Sequence, residues 1–277
     1  MLTAGRTRYV ILGAALAIAA AVALVGPLSP APFDEIAGAV LLIAYPCLTA
    51  LACWWCALEM TSAKMRLQWI LLGVAAVFFG SGQYLEEFGG FDNLSGFTPA
   101  KALFLAAIVA FGVGVWLALN SFSALLDVRR PVRTSVIVAA IASVLGAIGV
   151  ARMVMGIQMG LADKVVLSLY PIGVLWFMAV PALALALTVS QMGKGALARP
   201  WWAVWVGVVL ITASNLLLVV LTAVGTPVNN AGPMEFGWWI GMAAIAIGAS
   251  MQIDVQKPTL SAAVRGVTDG ESAQRRH

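Results

Sequence analysis

Residues 36–57 read IAGAVLLIAYPCLTALACWWCA, and this uninterrupted apolar run decides the class of the fold. The run has no charged side chain, and its 22 residues can cross a hydrocarbon core of about 30 Å at 1.5 Å per residue of helix. Lipid offers no partner to backbone polar groups, so a span of this kind must satisfy its own hydrogen bonds as a helix. The run therefore predicts an all-α integral membrane protein.

Seven further stretches of the chain have the same character. Apolar runs of spanning length fall at 9–26, 36–57, 67–85, 100–120, 134–157, 165–190, 201–224 and 233–252. Because the runs are continuous and do not alternate, they favour helices over a barrel. We therefore expect one polytopic bundle of about eight transmembrane helices over residues 1–252. The polar residues 253–277 are expected to form a short, disordered cytoplasmic tail.

The composition agrees with lipid as the solvent. Hydrophobic residues make up 62% of the 277 positions and charged residues 10%, whereas a soluble domain is near half apolar and a quarter charged. The net charge of +4 comes mainly from cations in short loops between apolar runs. Such cations set membrane topology, so they do not indicate nucleic-acid binding. The expected partners are the lipid bilayer and either another membrane protein or further copies of the chain.

Basic residues are divided unevenly between the two sides of the predicted bundle. With a cytoplasmic N-terminus, thirteen of the sixteen lysines and arginines lie inside, and only Lys101, Arg152 and Lys164 lie outside. This bias predicts the inner membrane of a bacterium, with both termini cytoplasmic. Arg152 is expected to pair with an outer acid, namely Glu86, Glu87 or Glu235. Tryptophans are expected at the two membrane interfaces, at Trp54, Trp55, Trp69, Trp201, Trp202 and Trp205 inside and at Trp238 and Trp239 outside.

The sequence contains a sparse internal repeat. Tyr45-Pro46 in the second run matches Tyr170-Pro171 in the sixth at an offset of 125. At an offset of 134, three pairs match: Gly73 with Gly207, Pro99 with Pro233, and Gly114 with Gly248. Four helices return the chain to its starting side, so the halves 9–120 and 134–252 would be parallel repeats about an axis along the membrane normal.

Prolines inside two corresponding helices indicate a site between the halves. Each removes a backbone donor, and paired interruptions of this kind often mark a central binding site in membrane proteins. The predicted ligand-binding residues are Tyr45, Pro46, Gln83, Tyr170, Pro171, Trp176 and Asn215. The alternative is that both prolines are packing kinks and that Asn215 only bonds a neighbouring helix.

No motif for catalysis, metal or cofactor binding is evident. The one histidine is His277, so neither a Ser-His nor a Cys-His arrangement is available in the spans. Cys53 and Cys56 have the spacing of a redox or metal pair, but they also fit as small apolar packing residues, which we prefer. Glu86-Glu87 fits a solvated helix end better than a pair of catalytic carboxylates. We expect neither an enzyme nor a cofactor.

Three stretches together resemble a known group of proteins. Tyr45-Pro46, the glycine-rich third run and the stretch from Pro233 to Trp239 are similar to bacterial polytopic membrane sensory modules with repeated Tyr-Pro helices. Those modules are found ahead of cyclic-dinucleotide signalling domains. Two departures stand out: the acidic residue that often follows Tyr-Pro is replaced by Cys47-Leu48 in one half and by Ile172-Gly173 in the other. The resemblance implies a stand-alone membrane module that acts through a partner.

Two functions are compatible with these observations. The first is a non-enzymatic sensory or accessory module that binds an apolar or neutral ligand, or the helices of a partner. The second is a transporter or facilitator of a small neutral solute, with its site between the halves. Ion-coupled transport is disfavoured because ionisable side chains are nearly absent from the middle of the spans.

Overall fold

The structure is a computed structural model that describes residues 4–25, 33–88, 98–156, 164–165, 172–191, 197–223 and 233–274. Over these ranges the chain is all-α, with eight helices. In chain order they are α1 (Ala4–Val25), α2 (Phe33–Glu59), α3 (Ala63–Phe88), α4 (Pro99–Phe122), α5 (Arg129–Gly156), α6 (Val174–Ser190), α7 (Arg199–Ala223) and α8 (Pro233–Gln274). The first part of α6, Val174–Ala179, is a π-helix, and the rest is α-helical.

Five of the eight helices are long and apolar enough to cross a membrane. Their apolar segments are Ile36–Glu59, Ala63–Glu86, Pro99–Phe122, Arg199–Leu217 and Glu235–Gln256. By the length and composition of these helices, the chain is a multi-pass membrane protein. Shorter apolar stretches lie in α1, at Tyr9–Val22, and in α6, at Val174–Ser190. Membrane crossing by α1, α5 and α6 stays a prediction.

The last helix extends beyond its membrane segment. The sequence predicts a disordered tail from residue 253, but in the structure the backbone of α8 continues as helix to Gln274. Ile253, at the predicted boundary, is only 1% exposed and belongs to the core, so the packed part of α8 continues past residue 252.

Short polar residues define where helices begin. Thr98 precedes α4 with an extended backbone, and its hydroxyl accepts a hydrogen bond from the Lys101 amide at 3.3 Å. Pro99 follows as the first residue of the helix, where its missing N–H costs no hydrogen bond. Asp127 acts similarly before α5, since its carboxylate accepts from the Arg129 amide at 3.0 Å.

Six helices form a closed ring. Each packs against two neighbours in the order α2, α3, α4, α6, α7, α8 and back to α2. The other two helices lie outside this ring, α1 against α8 and α2, and α5 against α6 and α7. A four-plus-four duplication would pair α2 with α6, α3 with α7 and α4 with α8, which is compatible with this order. The duplication itself stays a prediction.

The helices α7 and α8 cross at glycines. Gly237 and Gly241 form a GxxxG pattern on α8, and such small residues let helix backbones approach closely in membranes. A Cβ atom built on Gly207 would lie 2.5 Å from the Gly241 carbonyl oxygen, and one built on Gly241 would lie 2.8 Å from the Gly207 carbonyl oxygen. The two backbones are therefore in direct contact, with no room for a side chain.

A similar contact lies beside the π-helical start of α6. Pro181 has no N–H to offer the carbonyl of Phe177, four residues earlier, so an ordinary α-helical hydrogen bond cannot form there. Gly112 of α4 packs onto this carbonyl, and a Cβ atom at Gly112 would lie 2.3 Å from its oxygen. The close approach of α4 therefore coincides with the place where the helix widens.

The tryptophans that the sequence predicts at the interfaces differ in how far they are buried in the protein. Trp54 and Trp55 are exposed, at 37% and 50%, as expected for residues of an interfacial belt. Trp69, Trp201 and Trp239 are instead at most 2% exposed. These three rings therefore pack between ring helices and do not face the surroundings of the bundle, while their depth relative to the membrane stays a prediction.

Candidate functional site

The ring of six helices encloses a cavity of about 90 Å³. Every ring helix contributes to its wall. The lining residues are Thr49 of α2; Leu72, Ala75, Ala76, Phe79, Gln83 and Glu86 of α3; Phe104, Ala107, Ile108 and Phe111 of α4; Val174 and Met178 of α6; Ile211 and Asn215 of α7; and Trp238, Met242 and Ile245 of α8. The space exceeds what one water molecule needs, so it can hold a small ligand.

The cavity lies in one half of the bundle. On α3 it extends from Leu72 to Glu86, near the C-terminal end of that helix, and Glu86 is exposed. On α8, which runs antiparallel to α7, it occupies the first part of the helix, from Trp238 to Ile245. The Glu86 end is therefore the mouth of the cavity. In the predicted topology this mouth faces the outside of the cell.

The opposite half of the bundle is packed solid. Trp69 of α3 stacks on Trp201 of α7, with ring centroids 5.1 Å apart and planes inclined by 24°. Six further side chains toward the same ends of their helices are at most 1% exposed, namely Met60, Leu119, Leu185, Ile253, Val115 and Val189. We call the stack and these side chains the plug. It closes the floor of the cavity.

Most of the cavity wall is apolar and aromatic. The Phe79 ring lies 5.5 Å from the Phe104 ring and meets the Trp238 ring edge-on at 6.0 Å. Gly82 makes room for Phe104, since a Cβ atom at Gly82 would lie 2.7 Å from that ring. Edge-to-face contacts of this kind fix the orientation of the rings. The wall therefore favours an apolar or aromatic ligand.

Four neutral polar groups also line the cavity. The Thr49 hydroxyl is already engaged, at 2.9 Å from both the Tyr45 and the Met242 carbonyl oxygens. The Asn215 amide nitrogen donates to the Ile211 carbonyl oxygen at 2.8 Å, which leaves the amide oxygen available. The Trp238 indole N–H is enclosed and has no acceptor in the described part of the chain.

Gln83 is the most notable of the four. Its side chain is 7% exposed, and neither amide atom forms a hydrogen bond within the described ranges. Buried polar groups are nearly always paired, so an unpaired amide on a cavity wall indicates a missing partner such as water or a ligand. Gln83 and Asn215 were predicted as site residues, and the structure places both on the same cavity.

The other predicted site residues lie elsewhere. Tyr45 is buried beside α1, where its hydroxyl donates to the Ala15 carbonyl oxygen, and its ring stacks on Trp239 at 6.3 Å. Pro46 packs against Gly80 of α3, which has no room for a side chain. The Trp176 indole donates to the Ser143 hydroxyl of α5 at 2.9 Å. None of these three lines the cavity. Tyr170 and Pro171 lie outside the described residues.

The structure adds lining residues that the sequence did not single out. Thr49 follows Tyr45 by one helical turn, so it lies on the same face of α2 but deeper in the ring. Trp238 looked like an interfacial residue because tryptophan is common at membrane boundaries. Nothing in the local sequence of α8 separates Trp238 from a residue at the membrane boundary.

Titratable groups and cysteines do not form a reactive cluster in the described part of the chain. No group of three or more His, Cys, Asp or Glu side chains is placed to hold a metal ion there. Cys53 and Cys56 are not joined in a disulfide and have no exposed surface, while Cys47 is exposed. Glu235 is 3% exposed. The structure does not describe the Arg152 side chain, so its ion pair with an outer acid stays a prediction.

Comparison with known proteins gives no independent assignment. The chain matches no protein-family model, no curated protein sequence and no solved structure.

Proposed function

We propose that this protein is a non-enzymatic multi-pass membrane module that binds a small apolar or weakly polar ligand inside its helix ring. The observation that carries the proposal is the cavity lined by all six ring helices, apolar over most of its wall and furnished with the unpaired amide of Gln83. Ligand sites in helix bundles have this composition, with a mostly apolar wall and a few polar groups that orient the ligand.

A packing defect explains the cavity less well. Unpaired polar atoms also occur away from the cavity, at the enclosed side-chain oxygens of Gln68 and Gln252, but the Gln83 amide meets the open space of the cavity, where a ligand can reach it. Here Gln83 has no partner, and the π-helical segment of α6 turns both Val174 and Met178 toward the same space. π-Helical segments are frequent at functional sites. These features support a site that gains its missing contact from a ligand.

The proposal also includes how binding would be communicated. A ligand can shift a conformational equilibrium only through contacts that differ between two states. Since every ring helix touches the cavity, a ligand can alter the packing of each of them, including helices whose outer faces meet lipid or a partner. This suits a sensory or accessory module in a bacterial inner membrane, with cytoplasmic termini and a membrane protein or a second copy as partner.

Binding of a fluorescent apolar probe tests the proposal. We expect 1-aminoanthracene, whose emission rises in apolar sites, to bind the full chain saturably in lipid nanodiscs. Ala107 lines the cavity and is 6% exposed, so Ala107→Phe places a ring in the space that the probe would occupy. This variant should lose the saturable component. Val109, two residues along the same helix, is 51% exposed and faces away, so Val109→Phe is the matched control and should bind as wild type does.

Two results would contradict the proposal. One is fluorescence that rises linearly with the probe in wild type, as expected for partition into lipid alone. The other is saturable binding that Ala107→Phe leaves unchanged, because the probe would then be bound outside the cavity. Thermal melting of each variant shows whether the fold is retained.

A second candidate is a transporter or facilitator of a small neutral solute. The observation in its favour is the asymmetry of the ring, which is open toward Glu86 and closed by the plug, as one state of an alternating-access carrier would be. Proteoliposome flux with radiolabelled glycerol and urea tests it. Saturable uptake that Asn215→Ala abolishes would favour transport over the module, whereas probe binding without flux would favour the module.

A further inference from the structure

The polar groups of the cavity are not spread evenly over its depth. Gln83 lies one turn from Glu86 at the mouth, and Asn215 lies one turn further from the plug than Ile211. Toward the floor, the wall is mainly apolar, as at Leu72, Phe111 and Ile245, and the Thr49 hydroxyl in the deeper wall is already engaged with two carbonyl oxygens. The cavity therefore has a polar mouth and an apolar floor.

The hydrogen-bonding capacity at the mouth has a definite character. The Gln83 side chain offers two N–H donors and one acceptor oxygen, all without partners in the described chain. Asn215 uses its nitrogen on the Ile211 carbonyl, so its oxygen remains as an acceptor. A ligand group that both donates and accepts a hydrogen bond, such as a hydroxyl or an amide, complements this pair.

The charge of the wall excludes one class of head group. No lysine, arginine or histidine is among the lining residues, and the ionisable residue in the lining is an acid, Glu86. A carboxylate or phosphate brought into this cavity would lose its hydration without gaining a cationic partner, which is strongly unfavourable. A neutral head group avoids this cost.

From these observations we infer that the ligand is a neutral amphiphile, with a hydroxyl or amide head held by Gln83 and Asn215 at the mouth and an aromatic or aliphatic body on the floor. This inference rests on the proposed function and adds the chemical class of the ligand and its orientation. The aromatic wall formed by Phe79, Phe104 and Trp238 would contact the body of the ligand.

A matched probe series tests the class. Three naphthalene compounds share one ring system and differ in the head: 2-naphthalenemethanol has a hydroxyl, 2-ethylnaphthalene has a methyl in its place, and 2-naphthoate is an anion. Each is titrated against bound 1-aminoanthracene in nanodiscs, with wild type and two variants. Gln83→Met removes the amide at the mouth. Gln68→Met is the control, because Gln68 is a buried glutamine of the same helix that does not line the cavity.

Each compound partitions into lipid to the same extent whichever protein is present. A comparison of wild type with the variants therefore removes this contribution from the measured displacement. We expect Gln83→Met to weaken displacement by the alcohol about three- to tenfold, the range expected for one neutral hydrogen bond. The same substitution should leave 2-ethylnaphthalene unchanged, and Gln68→Met should change neither. The naphthoate should displace the probe at least about tenfold less well than the alcohol, since a buried carboxylate lacks a partner.

The possible outcomes separate the two proposals. If 1-aminoanthracene shows no saturable binding, the proposed function is wrong, and the assignment of a neutral head group falls with it. If the probe binds but Gln83→Met leaves the alcohol unaffected, or naphthoate competes as well as the alcohol, then the cavity is a ligand site and the neutral-amphiphile assignment is overturned.

Discussion

The glycine crossing of α7 and α8 allows a quantitative test of the ring. Gly207→Ala adds one methyl group at a point where the two helix backbones touch. The added Cβ atom would lie 2.5 Å from the Gly241 carbonyl oxygen, whereas ordinary van der Waals contacts begin near 3.4 Å. The difference between these two distances shows that the added Cβ atom would be about 0.9 Å too close to the Gly241 carbonyl oxygen. Something in the structure must therefore move.

The size of the effect follows from what can move. A flexible side chain could rotate away, but here the obstacle is the backbone of α8, so the two helices must separate. Overpacking of a close-packed interior costs about 1–3 kcal/mol. With a shift of about 2–4 °C per kcal/mol for a chain of comparable size, the melting temperature should fall by roughly 2–12 °C.

The buried thiols provide the assay. Cys53 and Cys56 have no exposed surface, so a maleimide dye that fluoresces on reaction with thiols reports unfolding as they become accessible. Cys47 is exposed and would react at once, so Cys47→Ser is the background for every protein compared. Melting curves in detergent then give the temperature at which the core opens.

Gly13 on α1 is the matched control. A Cβ atom there would meet nothing within 4 Å, so Gly13→Ala should leave the melting temperature unchanged or raise it slightly through the better helix propensity of alanine. If Gly207→Ala melts within a degree or so of Gly13→Ala, the backbone contact between α7 and α8 is not present in the folded protein, and the argument for the ring fails at that point.

Three further predictions concern other parts of the molecule. Tyr45→Phe removes the hydroxyl that donates to the Ala15 carbonyl oxygen and should lower the free energy of unfolding by about 1 kcal/mol, measured by the same melting assay; no change would mean that α1 is held by other contacts. Trp69→Ala removes one member of the plug stack with Trp201 and should cost about 3–5 kcal/mol, so a variant that melts like wild type would refute the packed floor. A fluorescent protein fused after His277 should be bright and an alkaline phosphatase fused there inactive, because a cytoplasmic C-terminus supports only the former; the opposite pair of signals would invert the topology.

The helices could be predicted from the sequence, while their arrangement could not. Uninterrupted apolar runs predicted five long apolar helices that the structure confirms, because lipid leaves a long apolar segment few alternatives to a helix. The order of the ring depends on which face of each helix meets which neighbour. In helices that are apolar all round, hydrophobic periodicity says little about those faces.

The candidate site could also be predicted from the sequence only in part. Gln83 and Asn215 could be identified because an amide is unusual in an apolar run and must have a reason to be there. Tyr45 is equally unusual, yet its hydroxyl is satisfied by the Ala15 carbonyl oxygen of a helix outside the ring, which no local pattern foretells. Phe79 and Trp238 carry no sequence signal of a cavity, since rings of this kind fill cores, line cavities and lie at interfaces alike.

The closure of the ring between α8 and α2 has a consequence for biosynthesis. The chain emerges from the ribosome in order, so α2 inserts early, and its neighbour α8 is the last of the described helices to be synthesised. Until then the cavity has an open side, and Thr49 lacks the Met242 carbonyl that its hydroxyl contacts in the finished bundle. Before α8 is inserted, the bundle is therefore an incomplete ring whose interior side chains face lipid. Membrane insertases or chaperones that shield polar groups within the bilayer would have to protect this incomplete ring until α8 packs between α7 and α2.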